Sequence, residues 1–268
     1  MRFFKKLFLA FIAISPMITA QAQYTDTSAG SHINGIATSR TTNWNLLRDK
    51  KQVGRSSFIV PGILIAYGFS SLESDGLKSF NGEVKEELWE EHPHKKTKMD
   101  NYLQYSPAVA VYGLNALGIK GRNNFRDRSM IYLLSNAFLS STVFGIKKLT
   151  HELRPDGTDY FSFPSGHTAE AFASAEFLRQ EYKDVSPWYG IAGYVAAGAT
   201  GALRMYNNRH WMSDVLAGAG IGIASTKLAY WIYPVIKRKL FKDKPVNTMI
   251  LPFYQSRVAG IAMVYNFH

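Results

Sequence analysis

The chain has 268 residues, of which 46% are hydrophobic and 19% are charged, so a large core can be buried and general disorder is excluded. Its 31 Lys and Arg residues outnumber 20 Asp and Glu residues, and the net charge of +11 favours an anionic partner such as a phosphate ester or an anionic lipid. The absence of cysteine excludes disulfides, thiolate metal sites and cysteine nucleophiles.

The N-terminal segment, residues 1–22, has the pattern of a secretory signal peptide. Cations precede an apolar run from Leu7 to Ile18, and Ala20-Gln21-Ala22 fits a small-x-small cleavage site. The chain is therefore predicted to start on the far side of the inner membrane at residue 23, and an uncleaved anchor would place this residue there too. The polar residues 23–57 show no sustained period and are interpreted as a lead-in to the folded domain.

Six apolar stretches follow, and their lengths and Ala, Leu, Ile and Gly content favour helices over strands. They are residues 58–72, 102–119, 130–146, 168–178, 188–203 and 215–233. We therefore predict an all-α, six-helix bundle within a domain spanning residues 58–240. A charged segment from Glu73 to Asp100 separates the first two stretches and is expected to contain a short surface helix around Val84–Glu91.

Two basic clusters, residues 120–128 and 237–244, adjoin apolar stretches. The alternatives are a solvated face and a cytoplasmic loop beside a membrane. The tail, residues 245–268, has β-branched and aromatic residues on both sides of Gln255-Ser256-Arg257, which predicts a short C-terminal β-hairpin.

The segment Phe163-Pro164-Ser165-Gly166-His167 immediately precedes the fourth apolar stretch. Ser165 occupies the position of a helix N-cap, and Gly166 would let a ligand approach the backbone. Helix N-termini bind anions, phosphate above all, so His167 in the first turn would face an anion pocket. On its own this pattern fits a simple helix cap with a surface histidine equally well.

A second pattern joins Arg204, His210 and Asp214. His210 and Asp214 are four residues apart, which puts them on one face of a helix. Asp214 could then accept a hydrogen bond from one ring nitrogen of His210 and leave the other nitrogen as a nucleophile. Lys147 and Arg154 add cations at the end of the third stretch, and arginine forks and lysine charges suit a phosphate dianion.

These three segments together resemble the signature of the type 2 phosphatidic acid phosphatase superfamily, which also contains class A acid phosphatases and vanadium haloperoxidases. The motifs cover residues 147–214, and the helical stretches extend the likeness over about 58–233. One position departs from the family pattern, since Leu203 stands where a serine usually precedes the arginine of the third motif.

The resemblance implies a phosphatase that needs no metal or other cofactor. In that reading His210 attacks phosphorus, Asp214 orients it and His167 protonates the leaving oxygen. The phosphate-binding set would be Lys147, Arg154, Ser165, Gly166 and Arg204. His92 and His94, on either side of Pro93, are considered as a metal pair, but the sequence offers no third ligand nearby and a charged loop is the favoured interpretation.

The substrate implied by the resemblance is a phosphorylated lipid, and membrane association is favoured. Stretches 130–146 and 215–233 are long enough to span a bilayer, and 188–203 is close. Basic clusters on the cytoplasmic side would place the motifs at the periplasmic face of the inner membrane. Six crossings after an exported N-terminus would reverse that side, so 58–72, which contains Pro61, is interpreted as not crossing.

Three alternatives remain open at the level of sequence. One is a soluble, broad-specificity periplasmic acid phosphatase, and another is a non-catalytic envelope protein that binds phospholipid head groups. A vanadate-dependent haloperoxidase fits less well, because such chains are typically longer. The export signal also disfavours nucleic acid as a partner.

Overall fold

The computed structural model describes residues 54–92 and 94–241, together with the backbone of 248–255 and 258–265. The predicted signal peptide and residues 23–53 of the lead-in lie outside the described residues. Side chains are described up to residue 239.

Eight α-helices make up most of the described chain. In chain order they are α1 (Ile59–Ser70), α2 (Asp75–Lys85), α3 (Met99–Leu103), α4 (Ser106–Ala116), α5 (Phe125–Thr150), α6 (Gly166–Tyr182), α7 (Pro187–Tyr206) and α8 (Met212–Phe241). A 3-10 turn, Arg55–Phe58, leads into α1, and a π-helical turn, Glu86–Glu90, extends α2.

The count of six helices is therefore wrong, although each predicted apolar stretch coincides with a helix. The two additional helices, α2 and α3, begin in the polar segment, which contains too few apolar residues to form a recognisable apolar stretch. Helix α2 still buries Val84 and Asn81, because one face packs against the bundle while the other stays in water.

Helices α6 and α8 form the centre of the bundle. Helix α6 packs against both α7 and α8, while α1 and α5 pack against α8. The short side chains of α6, among them Ala169, Ala171 and Ala173, are fully buried and let these helices approach closely. Glu170 and Glu176 of α6 face inward, where Glu170 accepts a hydrogen bond from the Tyr132 hydroxyl.

Glycines of α8 allow the closest of these approaches. A Cβ at Gly218 would lie 2.5 Å from the carbonyl oxygen of Ser165, and one at Gly222 would lie 2.1 Å from that of Ala169. No side chain can occupy such a space unless the two backbones separate. The N-terminal turns of α6 are therefore held against α8 by direct backbone packing.

We expect Gly222→Ala to destabilise the protein by about 1–3 kcal/mol, because the methyl group must push α6 away from α8. The matched control is Gly198→Ala in α7, where a Cβ meets nothing within 4 Å. Alanine should be neutral or stabilise there by about 0.5–1 kcal/mol, since glycine is the poorer helix former. Thermal unfolding in detergent measures both; equal melting temperatures for the two variants would contradict the close-packing account.

Two described helices are long and apolar enough to cross a membrane, Phe125–Thr150 and residues 212–239 of α8. A third crossing exists only if the segments Arg55–Ser70 and Asp75–Glu90, bent by 94°, count as one span. The sequence-predicted stretches 130–146 and 215–233 fall within the first two helices. Helix α7, predicted to be close to a span, does not meet the same test.

The described parts of the two basic clusters lie at the same end of the bundle. Lys237, near the end of α8, forms an ion pair of 2.7 Å with Asp127 in the first turn of α5. The Tyr233 hydroxyl donates to the other oxygen of the same carboxylate at 2.8 Å. The C-terminal end of α8 is therefore fixed beside the N-terminal end of α5.

The last described segments are two extended strands, β1 (Thr248–Gln255) and β2 (Val258–Tyr265). They pair antiparallel, with Thr248 opposite Tyr265 and Gln255 opposite Val258. Nothing is described of their side chains, so the predicted hairpin has no assigned packing partner in the fold.

Candidate active site

The candidate site begins where α5 ends and α6 starts. Ser165 is the N-cap of α6, and its Oγ accepts a hydrogen bond of 3.4 Å from the backbone N–H of Thr168. The backbone N–H of Ser165 donates to the carbonyl oxygen of Asp214 at 3.0 Å, which ties the start of α6 to the first turn of α8. A Cβ on Gly166 would meet only Val143, at 3.8 Å, so packing does not require glycine there.

Asp214 holds His210 by one ring nitrogen. The Nδ1 atom of His210 lies 3.3 Å from Oδ2 of Asp214, and both side chains are almost completely buried. The same oxygen accepts hydrogen bonds from the backbone N–H of Trp211, at 2.9 Å, and from the Ser162 hydroxyl. Three donors thus converge on one carboxylate oxygen and fix the imidazole ring.

Arg154 determines which nitrogen of His210 carries the hydrogen. Its Nη1 atom lies 3.4 Å from Nε2 of His210 and 3.3 Å from the carbonyl oxygen of Arg209. A guanidinium only donates, so Nε2 must present its lone pair and Nδ1 must carry the hydrogen that points to Asp214. In this tautomer Nε2 has a lone pair and can act as the nucleophile.

Arg204 lies beside this pair in a buried ion pair with Asp100. Its Nη1 atom donates to Oδ2 of Asp100 at 2.6 Å, and both side chains are less than a tenth exposed. The buried Nε atom of Arg204 has no hydrogen-bond partner. Asp100 therefore orients the guanidinium while leaving donor capacity that a phosphate oxygen could use.

His167 faces the same space from the first turn of α6. Its Nε2 atom lies 2.8 Å from Oδ1 of Asn101, an amide oxygen that only accepts, so Nε2 carries a hydrogen. Asn101 thus positions the imidazole that the sequence suggests as the acid. It follows directly after Asp100 in α3, so one short helix contacts residues of two motifs.

Residues 94–101, which we call the strap, contact residues that follow Arg154 and Arg204 closely in the chain. His94 contacts the carbonyl oxygen of Tyr206 at 2.7 Å and stacks on its ring, while Lys96 pairs with Asp156 at 3.1 Å. The backbone of Thr97 exchanges two hydrogen bonds with the side chain of Asn207.

Sequence reasoning missed Asp100, Asn101 and Ser162 as parts of the site. The first two lie 66 or more residues before their partners, at positions where no motif or period marks them. Ser162 lies just before the second motif, and that proximity was the available signal.

The cations act on both histidines. Burial, followed by Arg204, Lys147 and Arg154, lowers the pKa of His210 well below its usual value, so its imidazole stays neutral. Burial and Arg204 lower the pKa of His167 to about 4 from 6.5. Lys147 donates to the carbonyl oxygens of Phe161 and Ser162, and its charge acts on both histidines together with those of Arg154 and Arg204.

Potential metal ligands cluster once among the described residues, away from the histidine pair. Ligand atoms of Glu87, Glu91 and His92 lie within 4.8 Å of one another. His94, which the sequence paired with His92, instead uses both ring nitrogens on backbone carbonyl oxygens. The two histidines therefore do not form a common metal site.

Comparison with known proteins finds a family model that matches part of the chain. Residues 128–238 match the sequence model of the PAP2 superfamily. That match confirms the resemblance for this part of the chain, which contains all eight predicted site residues. Over 143 residues the chain is also 45% identical to the lipid A 1-phosphatase of Porphyromonas gingivalis. The aligned region is 53% of this chain but only 32% of that relative, so the chain spans about a third of its length.

Two solved structures are also similar. LpxE from Aquifex aeolicus is 24% identical with a TM-score of 0.39, covering 49% of this chain and 82% of LpxE. A transmembrane PAP2-type phosphatidylglycerolphosphate phosphatase from Bacillus subtilis is 20% identical with a TM-score of 0.47. That alignment covers 69% of this chain and 99% of the Bacillus chain.

Proposed function

We propose that this protein is a phosphatase that removes phosphate from a phosphorylated lipid through a phosphohistidine on His210. The observation that carries the proposal is the buried His210 imidazole, which presents the Nε2 lone pair among cations while Asp214 holds Nδ1. A neutral imidazole in a cationic pocket is a nucleophile placed where a phosphate dianion binds.

In the first step Nε2 of His210 forms a bond to phosphorus while the bond to the leaving oxygen breaks. His167 gives its proton to that oxygen, and the guanidinium groups of Arg154 and Arg204 bind the equatorial oxygens. Asp214 stabilises the positive charge that develops on the phosphorylated ring. In the second step a water gives a proton to His167 and attacks phosphorus, which breaks the bond to nitrogen and releases phosphate.

A lipid substrate is supported by the relation of the site to the candidate spans. Lys147 lies in the last turn of α5 and Asp214 in the first turn of α8, so both candidate spans meet the pocket at one end. Apolar side chains near it, including Leu149 at 83% and Tyr160 at 59% exposure, would contact lipid there. The 45% identical relative is named a lipid A 1-phosphatase.

The purified chain should therefore release phosphate from at least one lipid in a panel of phosphatidate, phosphatidylglycerophosphate, a polyprenyl diphosphate and lipid A. Release should continue in EDTA, since histidine supplies the nucleophile, and vanadate should inhibit it by mimicking five-coordinate phosphorus. Loss of turnover in EDTA with recovery on adding a divalent ion would overturn the mechanism. Turnover of a soluble aryl phosphate alone would favour a broad-specificity acid phosphatase instead.

We also propose that the pocket opens at the periplasmic face. The basic clusters at the opposite end support this orientation. An exported N-terminus agrees with it if one crossing precedes α5, which the bent pair Arg55–Ser70 and Asp75–Glu90 would supply as a single span. The chain lacks cysteine, so single cysteines report cleanly. In intact spheroplasts an impermeant maleimide should label Tyr160→Cys and spare Asn124→Cys; the reverse pattern would place the site in the cytoplasm.

A further inference from the structure

A second charged cavity lies in the loop between α4 and α5. Its volume is about 270 Å³, far more than one water molecule needs. Apart from Gly121, every lining residue carries a cationic or an amide side chain, and none is acidic. The six are Asn115, Lys120, Arg122, Asn123, Asn124 and Arg128.

This cavity is remote from the candidate active site. Arg128 and Lys147 are 19 residues apart on α5, and at about 1.5 Å per residue the helix separates them by roughly 28 Å. Glu181, at the far end of α6 from Ser165, binds Asn123 of the same loop. The cavity and the pocket around His210 therefore lie at opposite ends of the bundle.

Arg128 shows that the cavity is prepared for an anion. The side chain is 1% exposed, and its Nη1 atom has no hydrogen-bond partner, although a buried guanidinium donor without an acceptor is costly. Its Nε and Nη2 atoms both donate to the carbonyl oxygen of Asn123, so the group is held in place. An acceptor that enters the cavity could satisfy the remaining donor.

The nearby carboxylate does not fill this role. Glu181 accepts hydrogen bonds from the Asn123 side chain and from the Tyr230 hydroxyl at 2.6 Å each, and from the Asn123 backbone at 3.0 Å. Its closest approach to Arg128 is 3.8 Å, at Nε and not at Nη1. The positive charge of the exposed Lys120 side chain is additional to this pair.

From this cavity we infer that the loop between α4 and α5 binds a phosphate group at the end of the bundle opposite the active site. Arg128 supplies the fixed guanidinium, Lys120 supplies charge, and the asparagine amides supply further donors. The phosphate belongs either to an anionic lipid head group or to free phosphate. Basic pockets beside membrane-spanning helices commonly bind lipid head groups.

The test uses the full chain in phosphatidylcholine nanodiscs with one cysteine, Asn115→Cys, in the cavity wall. The rate of modification by N-ethylmaleimide, a neutral reagent, reports occupancy of this cavity and not of the active site. One arm adds inorganic phosphate against sodium chloride of equal ionic strength. The other replaces part of the phosphatidylcholine with phosphatidylglycerol and adds no phosphate.

Binding should slow modification at least about threefold in one arm or both, and the responding arm identifies the source of the phosphate. Adding Lys120→Gln should remove the protection, whereas Lys239→Gln, an equal charge change outside the cavity, should keep it. Arg128→Lys is a second probe. Because Arg128 is buried, this variant carries a risk of misfolding that a substitution of the exposed Lys120 does not. Unchanged rates in both arms, or equal loss of protection with Lys239→Gln, would overturn the inference.

Phosphatase activity of the Lys120→Gln variant separates this inference from the proposed function. Lys120 touches no residue of the active site, so phosphate release should stay at the level of the unmodified chain. A chain that shows cavity protection but no phosphate release would support this site and contradict only the proposed function.

Discussion

Replacing His210 with alanine should reduce phosphate release by about 10⁴-fold or more and should abolish any trapped phosphoenzyme. The imidazole presents the lone pair of Nε2 toward Arg154, and its tautomer is fixed by Asp214 and Arg154. Rapid quenching with labelled substrate measures the phosphoenzyme, and steady-state assays measure release.

The control for this variant is His151→Asn. His151 lies just after α5, four residues from Lys147, and has a left-handed backbone with φ of 47° that asparagine tolerates. It makes no contact with the histidine pair, so activity should be retained. A phosphoenzyme that still forms in the His210→Ala variant would show that another residue is the nucleophile.

Replacing His167 with alanine should produce a different defect. The alcohol of a lipid phosphate is a poor leaving group, so its hydrolysis should fall by about 10²–10⁴-fold. Hydrolysis of an activated aryl phosphate should fall much less. The phosphoenzyme should still form with the aryl substrate, because the nucleophile is intact. Equal losses with both substrates would contradict the assignment of His167 as the acid.

The pH dependence of lipid hydrolysis tests the role of His167 as the acid independently. The pKa of His167 is about 4 before substrate binds, because burial and Arg204 disfavour its cation. A bound phosphate dianion offsets the charge of Arg204 and raises the pKa of His167. In the substrate complex His167 therefore loses its proton only as pH rises through this higher pKa. Turnover should fall along that limb, and the limb should disappear in His167→Ala.

Asn101 connects this chemistry to the strap. Its amide oxygen accepts from Nε2 of His167 at 2.8 Å, so Asn101→Ala should shift the same pH limb and weaken lipid hydrolysis more than aryl phosphate hydrolysis. A purely structural role would lower both rates together.

The sequence predicts the helices because each depends on a local apolar pattern, and it predicts the contact between His210 and Asp214 because the two residues are close in the chain. Each predicted apolar stretch coincides with a helix. His210 contacts Asp214 as predicted, but it lies two residues before α8 begins, so the two residues do not share a helical face. The polar helices α2 and α3 were harder, since each buries few residues and α3 spans only Met99–Leu103.

The supports of the site could not be predicted in the same way. Asp100 reaches Arg204 across 104 positions, and nothing in the local sequence of either residue encodes that meeting. The orientation of Arg154 toward Nε2 of His210 likewise depends on how the loop after α5 folds back, with Asp159 holding Nε of the arginine at 2.7 Å. Such contacts follow from tertiary packing rather than from spacing.

The glycine contacts of α8 also bear on how the protein could acquire new substrates. Because Gly218 and Gly222 press directly on the backbone of α6, helix packing sets the position of His167 relative to Asp214. The exposed side chains of Tyr102, next to Asn101, and Phe161, next to Ser162, which we call the rim, take no part in this packing and can vary without moving His167 or Asp214. A saturation library confined to that rim should yield altered lipid preference at unchanged folding yield, whereas one directed at the glycines should mostly yield unfolded chains.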